Sequence, residues 1–293
     1  MKKVIVIGKN SFIATHLPYE KSDYRFSPDE KDISNFIDAN KPDVLINCIG
    51  MTGKKNIDDI ELEKARAANS NTVLPIMLAS KCEQKGINFI HISSGCINYG
   101  PSPNNKEIID IRKNPSTSHF EDTGWREDEF AQRKNNPMSS YSKTKLAADL
   151  VIGSLSNVSS LRIRMPISSM FHPRNLLNKL IGFKKVLEEP NSMTFLRDLT
   201  NAVQWIIDNN KTGIYNIASP KPLTHSMLLD EYKRHVPAHT YEKISKEELN
   251  KLVSAPRSNC ILDVSKSINE GFRYYDTDYM IKETVRQFVI NKI

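Results

Sequence analysis

The sequence predicts an α/β fold: a Rossmann-type doubly wound parallel sheet with a smaller C-terminal substrate lobe. Three observations predict it. The chain opens on a continuous β-branched run, Lys3 to Ile7, closed by Gly8, the pattern of a central strand buried on both faces. Short apolar strands then alternate with longer periodic helices as far as Met165. Beyond Met165 the alternation loosens into helices around a single strand.

The elements follow in order. After Gly8, the apolar spacing of Phe12, Ile13 and Leu17 fits the start of a helix. A second strand is expected to end near Arg25. Next come a helix from Ile33 to Ala39, a strand from Val44 to Cys48, and one long helix from Leu62 to Lys85. A strand from Phe89 to Ser93, a helix from Tyr141 to Leu155 and a strand from Ser160 to Arg164 complete the first region. Helices at Asn175 to Leu180, Leu199 to Asn209, Ser226 to His235, Lys246 to Leu252 and Tyr279 to Asn291 surround a strand at Gly213 to Ile217. The expected division is therefore residues 1–165 as the sheet domain and 166–293 as mainly a substrate-binding lobe, with some segments returning to the sheet. Residues 101–140 are polar, proline-rich and aperiodic, the composition of an active-site loop or a partly disordered segment.

Composition narrows the function. With 293 residues, 39% hydrophobic and 26% charged, the chain has ordinary globular values, which exclude collagen, coiled coil and wholesale disorder. Four cysteines, Cys48, Cys82, Cys96 and Cys260, form no CxxC pair, so they read as free thiols and no metal site is expected. The apolar run after the N-terminus is too short for a signal core or a membrane span, and a cytoplasmic protein is expected. The net charge of +7 is spread along the chain without interleaved aromatics, which argues against nucleic acid and suits small polyanions such as nucleotides.

Two motifs carry chemistry. Gly8-x-x-Ser11-x-x-Ala14 is a degraded glycine-rich dinucleotide turn, in which Gly8, Asn10, Ser11, Phe12 and Ile13 would line a pyrophosphate at a helix N-terminus. Tyr141-Ser-Lys-Thr-Lys145 places a phenol and an ammonium on one helix face, where the cation favours the phenolate. Among 10 tyrosines about one such spacing arises by chance, so context decides. That context is a fourth strand ending in Ser93-Ser94-Gly95-Cys96.

These residues resemble the extended short-chain dehydrogenase/reductases. The resemblance implies a Ser94/Tyr141/Lys145 proton-relay group, a nicotinamide cofactor and a nucleotide-sugar substrate. A narrower resemblance runs through Gly50-Met-Thr-Gly53, Gly95-Cys-Ile97, Tyr141 to Lys145, Arg164 to Ser169, Pro173-Arg-Asn175, Pro190 to Thr194 and Ala255 to Asn259. Seven matches in order are similar to the C-terminal half of plant UDP-rhamnose synthases and their stand-alone giant-virus relatives. Members convert UDP-4-keto-6-deoxyglucose to UDP-L-rhamnose by epimerising C3 and C5 and reducing C4.

The resemblance implies the following roles. Cys96 is the base, its thiol facing the same pocket as Ser94 if the strand end stays extended, and Lys179 is the opposing acid. Gly50, Met51, Thr52 and Asn69 lie along the cofactor, together with Tyr141 and Lys145. Asn175 and Arg257, with Ser94, contact the nucleotide-sugar. Arg25 suits a 2′-phosphate, so NADPH is expected, with NADH left open by nearby Asp23. A separate 4,6-dehydratase must supply the keto-sugar, and a homodimer is left open. Two alternatives stand beside this reading: a 4-reductase alone, resembling dTDP-dehydrorhamnose reductase, and a non-catalytic nucleotide-binding regulatory subunit.

Overall fold

The computed structural model describes residues 2–54, 56–100, 102, 124–130 and 138–292. Most of the 101–140 segment therefore lies outside the described residues. Two compact units are present, one comprising Met1–Ile97, Arg133–Arg162 and Thr200–Tyr215, the other Asn98–Gln132, Ile163–Leu199 and Asn216–Ile293.

The first unit is built on a six-stranded sheet in the order β2-β1-β3-β4-β5-β7. Its strands are β1 (Val4–Ile7), β2 (Glu20–Ser22), β3 (Val44–Asn47), β4 (Asn88–Ser94), β5 (Val158–Ile163) and β7 (Gly213–Ile217); β6 (Lys185–Leu187) lies elsewhere. β1 pairs in parallel with both β2 and β3, and β3 with β4. The chain thus winds outward in both directions from β1. That reversal opens a crevice at the C-terminal ends of β1 and β3, where α/β sheets of this kind bind ligands. All four residues of β1 are buried, as its unbroken β-branched run requires.

The helices of this unit are α1 (Glu30–Asn40), α2 (Lys64–Ala68), α3 (Leu74–Gln84) and α4 (Ser140–Ile152). Asp29 starts α1 by accepting the Asp32 amide on its carboxylate. Ile5, Ile7, Leu45 and Phe89 of the sheet pack with Ile33, Phe36 and Ile37 of α1 and Leu74 and Leu78 of α3 in one core.

Two expectations fail here for identifiable reasons. The helix expected after Gly8 is a single 3-10 turn, Ala14–His16. Leu17 precedes Pro18, which disfavours helical backbone, and Leu17 is accordingly extended (ψ 130°). The helix expected from Leu62 to Lys85 is broken by a π-helical turn at Asn69–Val73. Pro75 has no N–H for the Asn71 carbonyl four residues back, and the Leu74 amide reaches Asn69 instead.

The second unit holds a two-stranded parallel sheet of β6 and β8 (Glu242–Ile244). Its helices include α5 (Leu176–Leu180), α7 (His225–His235) and α10 (Thr277–Lys292); α6 (Leu196–Asn209) spans the division between the units. Leu177, Leu180, Phe195, Leu228, Leu229, Val285 and Phe288 share its core. Trp125 bridges to Leu262 and donates its indole N–H to the Gly100 carbonyl, tying in one end of the 101–140 region. Among the described residues no helix is long and apolar enough to cross a membrane, and no cluster could hold a metal ion.

Candidate active site

Three loops and one helix of the first unit converge at the crevice. At Gly8 the backbone is left-handed (φ +83°), and a Cβ there would lie 2.9 Å from both the Cys48 carbonyl carbon and the Ile49 nitrogen. Only glycine satisfies both conditions. The Ser11 amide donates to the Gly8 carbonyl at 2.8 Å, and the Ser11 hydroxyl accepts the Ala14 amide at 3.0 Å. Phe12 is buried, Ser11 and Ile13 half-buried and Asn10 exposed. Because the helix is only one 3-10 turn, the dipole expected at its N-terminus is largely missing.

Past β2, Arg25 is exposed. Asp23 pairs instead with Lys9 at 2.9 Å, which holds its carboxyl below the usual range through that hydrogen bond and charge. Cys48 is buried beneath the Gly8 turn, and loss of solvation pushes its thiol up to about 12 despite a hydrogen bond with Ser11. It is inert as a thiolate source.

The loop after β3 is held by a residue that sequence reasoning missed. The Asn71 side chain accepts the Met51 amide at 2.7 Å and donates to the Met51 carbonyl at 2.9 Å, a two-bond bracket. It also donates to the Thr144 hydroxyl at 3.3 Å, while Thr72 donates to the Thr144 carbonyl at 2.7 Å. Asn71 is fully buried, whereas Asn69, the expected cofactor residue, is exposed. Both asparagines lie in the π turn, for which Pro75 inside a predicted helix was the available signal. Thr52 is half-buried in the same loop.

Helix α4 delivers the tyrosine and lysine. The Ser139 hydroxyl caps it by accepting the Ser142 amide. The Glu61 carboxylate accepts both the Ser140 amide, at 2.7 Å, and the Ser140 hydroxyl, at 2.6 Å. Burial raises the Glu61 pKa, but these bonds and the charges of Lys64 and Lys143 outweigh it, leaving the carboxyl below its ordinary range. An anion at the first turn also suits the helix dipole.

Tyr141 is 7% exposed and packs with Ile60 and Ala67; Met51, Ile57 and Cys96 press against the same cluster. Lys145, one turn on, is 4% exposed. Desolvation pulls its ammonium from 10.5 down to about 8, opposed by Asp149, Cys48 and Cys96 acting through charge. A Cβ on Gly50 would lie 3.2 Å from the Lys145 Nζ and 3.5 Å from the Asn71 Oδ1, so the ammonium lies directly under the exposed Gly50 backbone.

Ser94 ends β4 and is 4% exposed. The strand does not stay extended: Gly95–Ile97 form a 3-10 turn, and the Ser94 hydroxyl accepts the Cys96 amide at 3.2 Å. The alternation argument for a shared orientation of Ser94 and Cys96 is therefore replaced by a turn. Cys96 is half-buried and against the Tyr141 cluster, while Cys48, Cys82 and Cys260 are buried.

The remaining expected residues belong to the second unit. Asn175 was expected to contact substrate, but its fully buried amide is spent internally. It donates to the Ser168 and Met170 carbonyls at 2.7 and 2.8 Å and accepts the Leu177 and Ser168 amides at 3.2 and 3.3 Å. It is the N-cap of α5 and the organiser of the loop before it. Lys179, on α5, is half-buried, and burial and then Arg174 lower its pKa. Arg257 is half-buried and donates to the Ala255 carbonyl at 3.0 Å.

Comparison with known proteins gives a concordant result. Residues 15–198 match the RmlD substrate binding domain family. The chain is 33% identical over 263 residues to a bifunctional dTDP-4-dehydrorhamnose 3,5-epimerase/dTDP-4-dehydrorhamnose reductase of Arabidopsis thaliana, covering 89% of this chain and 81% of that protein. It is 31% identical to a trifunctional UDP-glucose 4,6-dehydratase/UDP-4-keto-6-deoxy-D-glucose 3,5-epimerase/UDP-4-keto-L-rhamnose-reductase of the same plant, of which it spans only 39%. The crystal structure of the L780 UDP-rhamnose synthase from Acanthamoeba polyphaga mimivirus superposes with a TM-score of 0.85 at 25% identity, over 98% of this chain and 99% of that one.

Proposed function

The chain belongs to the RmlD substrate binding domain family, and on that premise we propose that it is a nucleotide-sugar 3,5-epimerase/4-reductase converting UDP-4-keto-6-deoxyglucose to UDP-L-rhamnose. The observation that carries the reading is the joint packing of Cys96 and Tyr141 on one cluster, with Lys145 on the same helix one turn below. A reductase alone needs the phenol and the ammonium but no thiol at that place.

The crevice suits a dinucleotide. Gly8 lets the first turn lie against the Cys48–Ile49 backbone, and Gly50 lets the loop after β3 pass close over the nearly buried Lys145 ammonium. When bound, NADPH supplies the hydride that reduces C4; NADH serves if Asp23 rather than Arg25 reads the adenosine ribose. Gly8, Ser11 and the Gly50-Met51 backbone hold the cofactor, and Lys145 binds its ribose.

In the first reaction the C4 ketone acidifies the hydrogens on C3 and C5. The Cys96 thiolate removes such a proton as the C–H electrons move to the ketone oxygen, and Lys179 returns a proton to the opposite face of the carbon. Lys179 is assigned by the resemblance, and burial and the Arg174 charge lower the pKa of its ammonium, the direction that eases proton donation. In the second reaction Tyr141 gives its phenolic proton to the C4 oxygen while Ser94 holds that oxygen. Lys145 stabilises the phenolate left behind. Arg257 offers a donor fork to the diphosphate. A 4,6-dehydratase, fused in the trifunctional relative, acts upstream to supply the keto-sugar.

Purified protein given UDP-4-keto-6-deoxyglucose and NADPH should form UDP-rhamnose, identified by NMR. Cys96→Ala should retain cofactor binding but lose solvent deuterium incorporation at C3 and C5. Unchanged exchange in that variant removes the epimerase half and leaves a reductase.

A further inference from the structure

One buried carboxylate ties the helix that carries Tyr141 and Lys145 to the strand that ends in Ser94. Asp149 lies on α4, one turn beyond Lys145 and two beyond Tyr141. Its Oδ2 accepts Arg162 Nε at 2.9 Å and Arg162 Nη2 at 2.6 Å, from β5. Its Oδ1 accepts the Ser93 hydroxyl at 2.8 Å, next to Ser94 at the end of β4, and the Ser160 hydroxyl at 2.9 Å. Both side chains of the ion pair are 0% exposed.

A buried ion pair is weak evidence for stability, because desolvating two charges offsets most of their attraction, and apolar pairs often do as well. Its distinctive property is direction: an off-geometry arrangement leaves a buried charge unsatisfied, which disfavours other placements of the helix. Here the observed placement aligns the Tyr141/Lys145 face of α4 with the Ser94 end of β4. The same carboxylate supplies negative charge toward Lys145.

We propose that the Asp149–Arg162 pair, clasped by Ser93 and Ser160, is a positioning device that sets both the register of α4 against β4 and the charge state of the Lys145 ammonium. The proposal rests on the reading of Lys145 given above, and deepens it. Other titratable groups act on Lys145 from each neighbouring element. Cys48 follows β3, Cys96 follows β4, and His91 on β4 is fully buried and kept neutral by desolvation and the Lys145 charge. Asp149 is the first of the groups whose charge opposes the desolvation of Lys145. Removing it lowers the pH at which Lys145 loses its proton.

The test replaces the pair with an apolar one, Asp149→Leu with Arg162→Met, which preserves volume without leaving a buried charge unpaired. If that variant does not fold, Asp149→Asn with Arg162→Gln is read in the same way. Lysine-selective NMR titration of the cofactor-free protein follows Lys145, its resonance identified by loss in Lys145→Met. The expected result is a titration midpoint lower than that of the wild type, with kcat reduced about tenfold and KM for the sugar little changed. A folded variant with the wild-type midpoint and wild-type kcat overturns the proposal and makes the pair purely structural. Should the wild type fail to turn over the keto-sugar, the functional reading falls, yet the NMR midpoint still decides the role of Asp149.

Discussion

Truncating Asn71 separates what the fold uses from what the sequence pattern suggests. Asn71→Ala removes the bonds to the Met51 amide, the Met51 carbonyl and the Thr144 hydroxyl at one stroke. Each net hydrogen bond is worth about 0.5 to 1.5 kcal/mol, and a buried partner left unpaired costs about 1 to 3 kcal/mol. Met51 is half-buried, so water recovers part of the loss for its two groups, and the Thr144 hydroxyl keeps its own donation to the Tyr141 carbonyl. Together these put the effect at about 2 to 4 kcal/mol. In a chain of this size that is a drop of roughly 4 to 16 °C in melting temperature, at about 2 to 4 °C per kcal/mol. Asn69→Ala, at an exposed position of the same π turn, should stay within about 0.5 kcal/mol. Thermal unfolding of both variants, with NADPH titrated into each, checks the pair. The Asn71 variant should also bind cofactor more weakly, because the Gly50-Met51 backbone loses its bracket over Lys145. If Asn69→Ala proves the more damaging, the bracket is not what shapes this loop.

Two further outcomes follow from the site. If catalysis needs the Lys145 ammonium, kcat should fall as pH rises through about 8, whereas a lysine at its ordinary pKa of 10.5 would hold activity two units further. The linkage has the opposite sign for stability. Between about 8 and 10.5 the unfolded chain binds the proton that the folded chain has released, so the contribution of Lys145 to stability rises with pH, measurable by denaturant titration of the cofactor-free protein and absent in Lys145→Met. Gly8→Ala must place a Cβ 2.9 Å from two backbone atoms at φ +83°. It should cost at least about 1 to 2 kcal/mol from the left-handed backbone alone and weaken NADPH binding. Wild-type affinity and stability would show that the turn relaxes.

How much of this was legible depends on whether a feature is local. β1 could be read because a β-branched run closed by glycine has few other uses, and β7 was delimited by its own residues from Gly213 to Ile217. The Tyr141/Lys145 face was legible because helical spacing alone aligns residues four apart. What misled were assumptions of regularity carried past a proline. Pro18 ended a helix that apolar spacing extended to Leu17, and Pro75 forced the turn in which both Asn71 and Asn69 lie. Asn175 misled for a different reason. A polar residue in a recognisable motif reads as a ligand contact, whereas the helix start after it and the carbonyls of Ser168 and Met170 claim every hydrogen-bonding group it has. The Asp149 clasp could not be read at all, since it joins Ser93, Ser160 and Arg162 across 11 to 56 positions of sequence, and nothing local marks those residues as neighbours. Long-range polar contacts of that kind are where the sequence falls silent, and here they lie directly beneath the proposed chemistry.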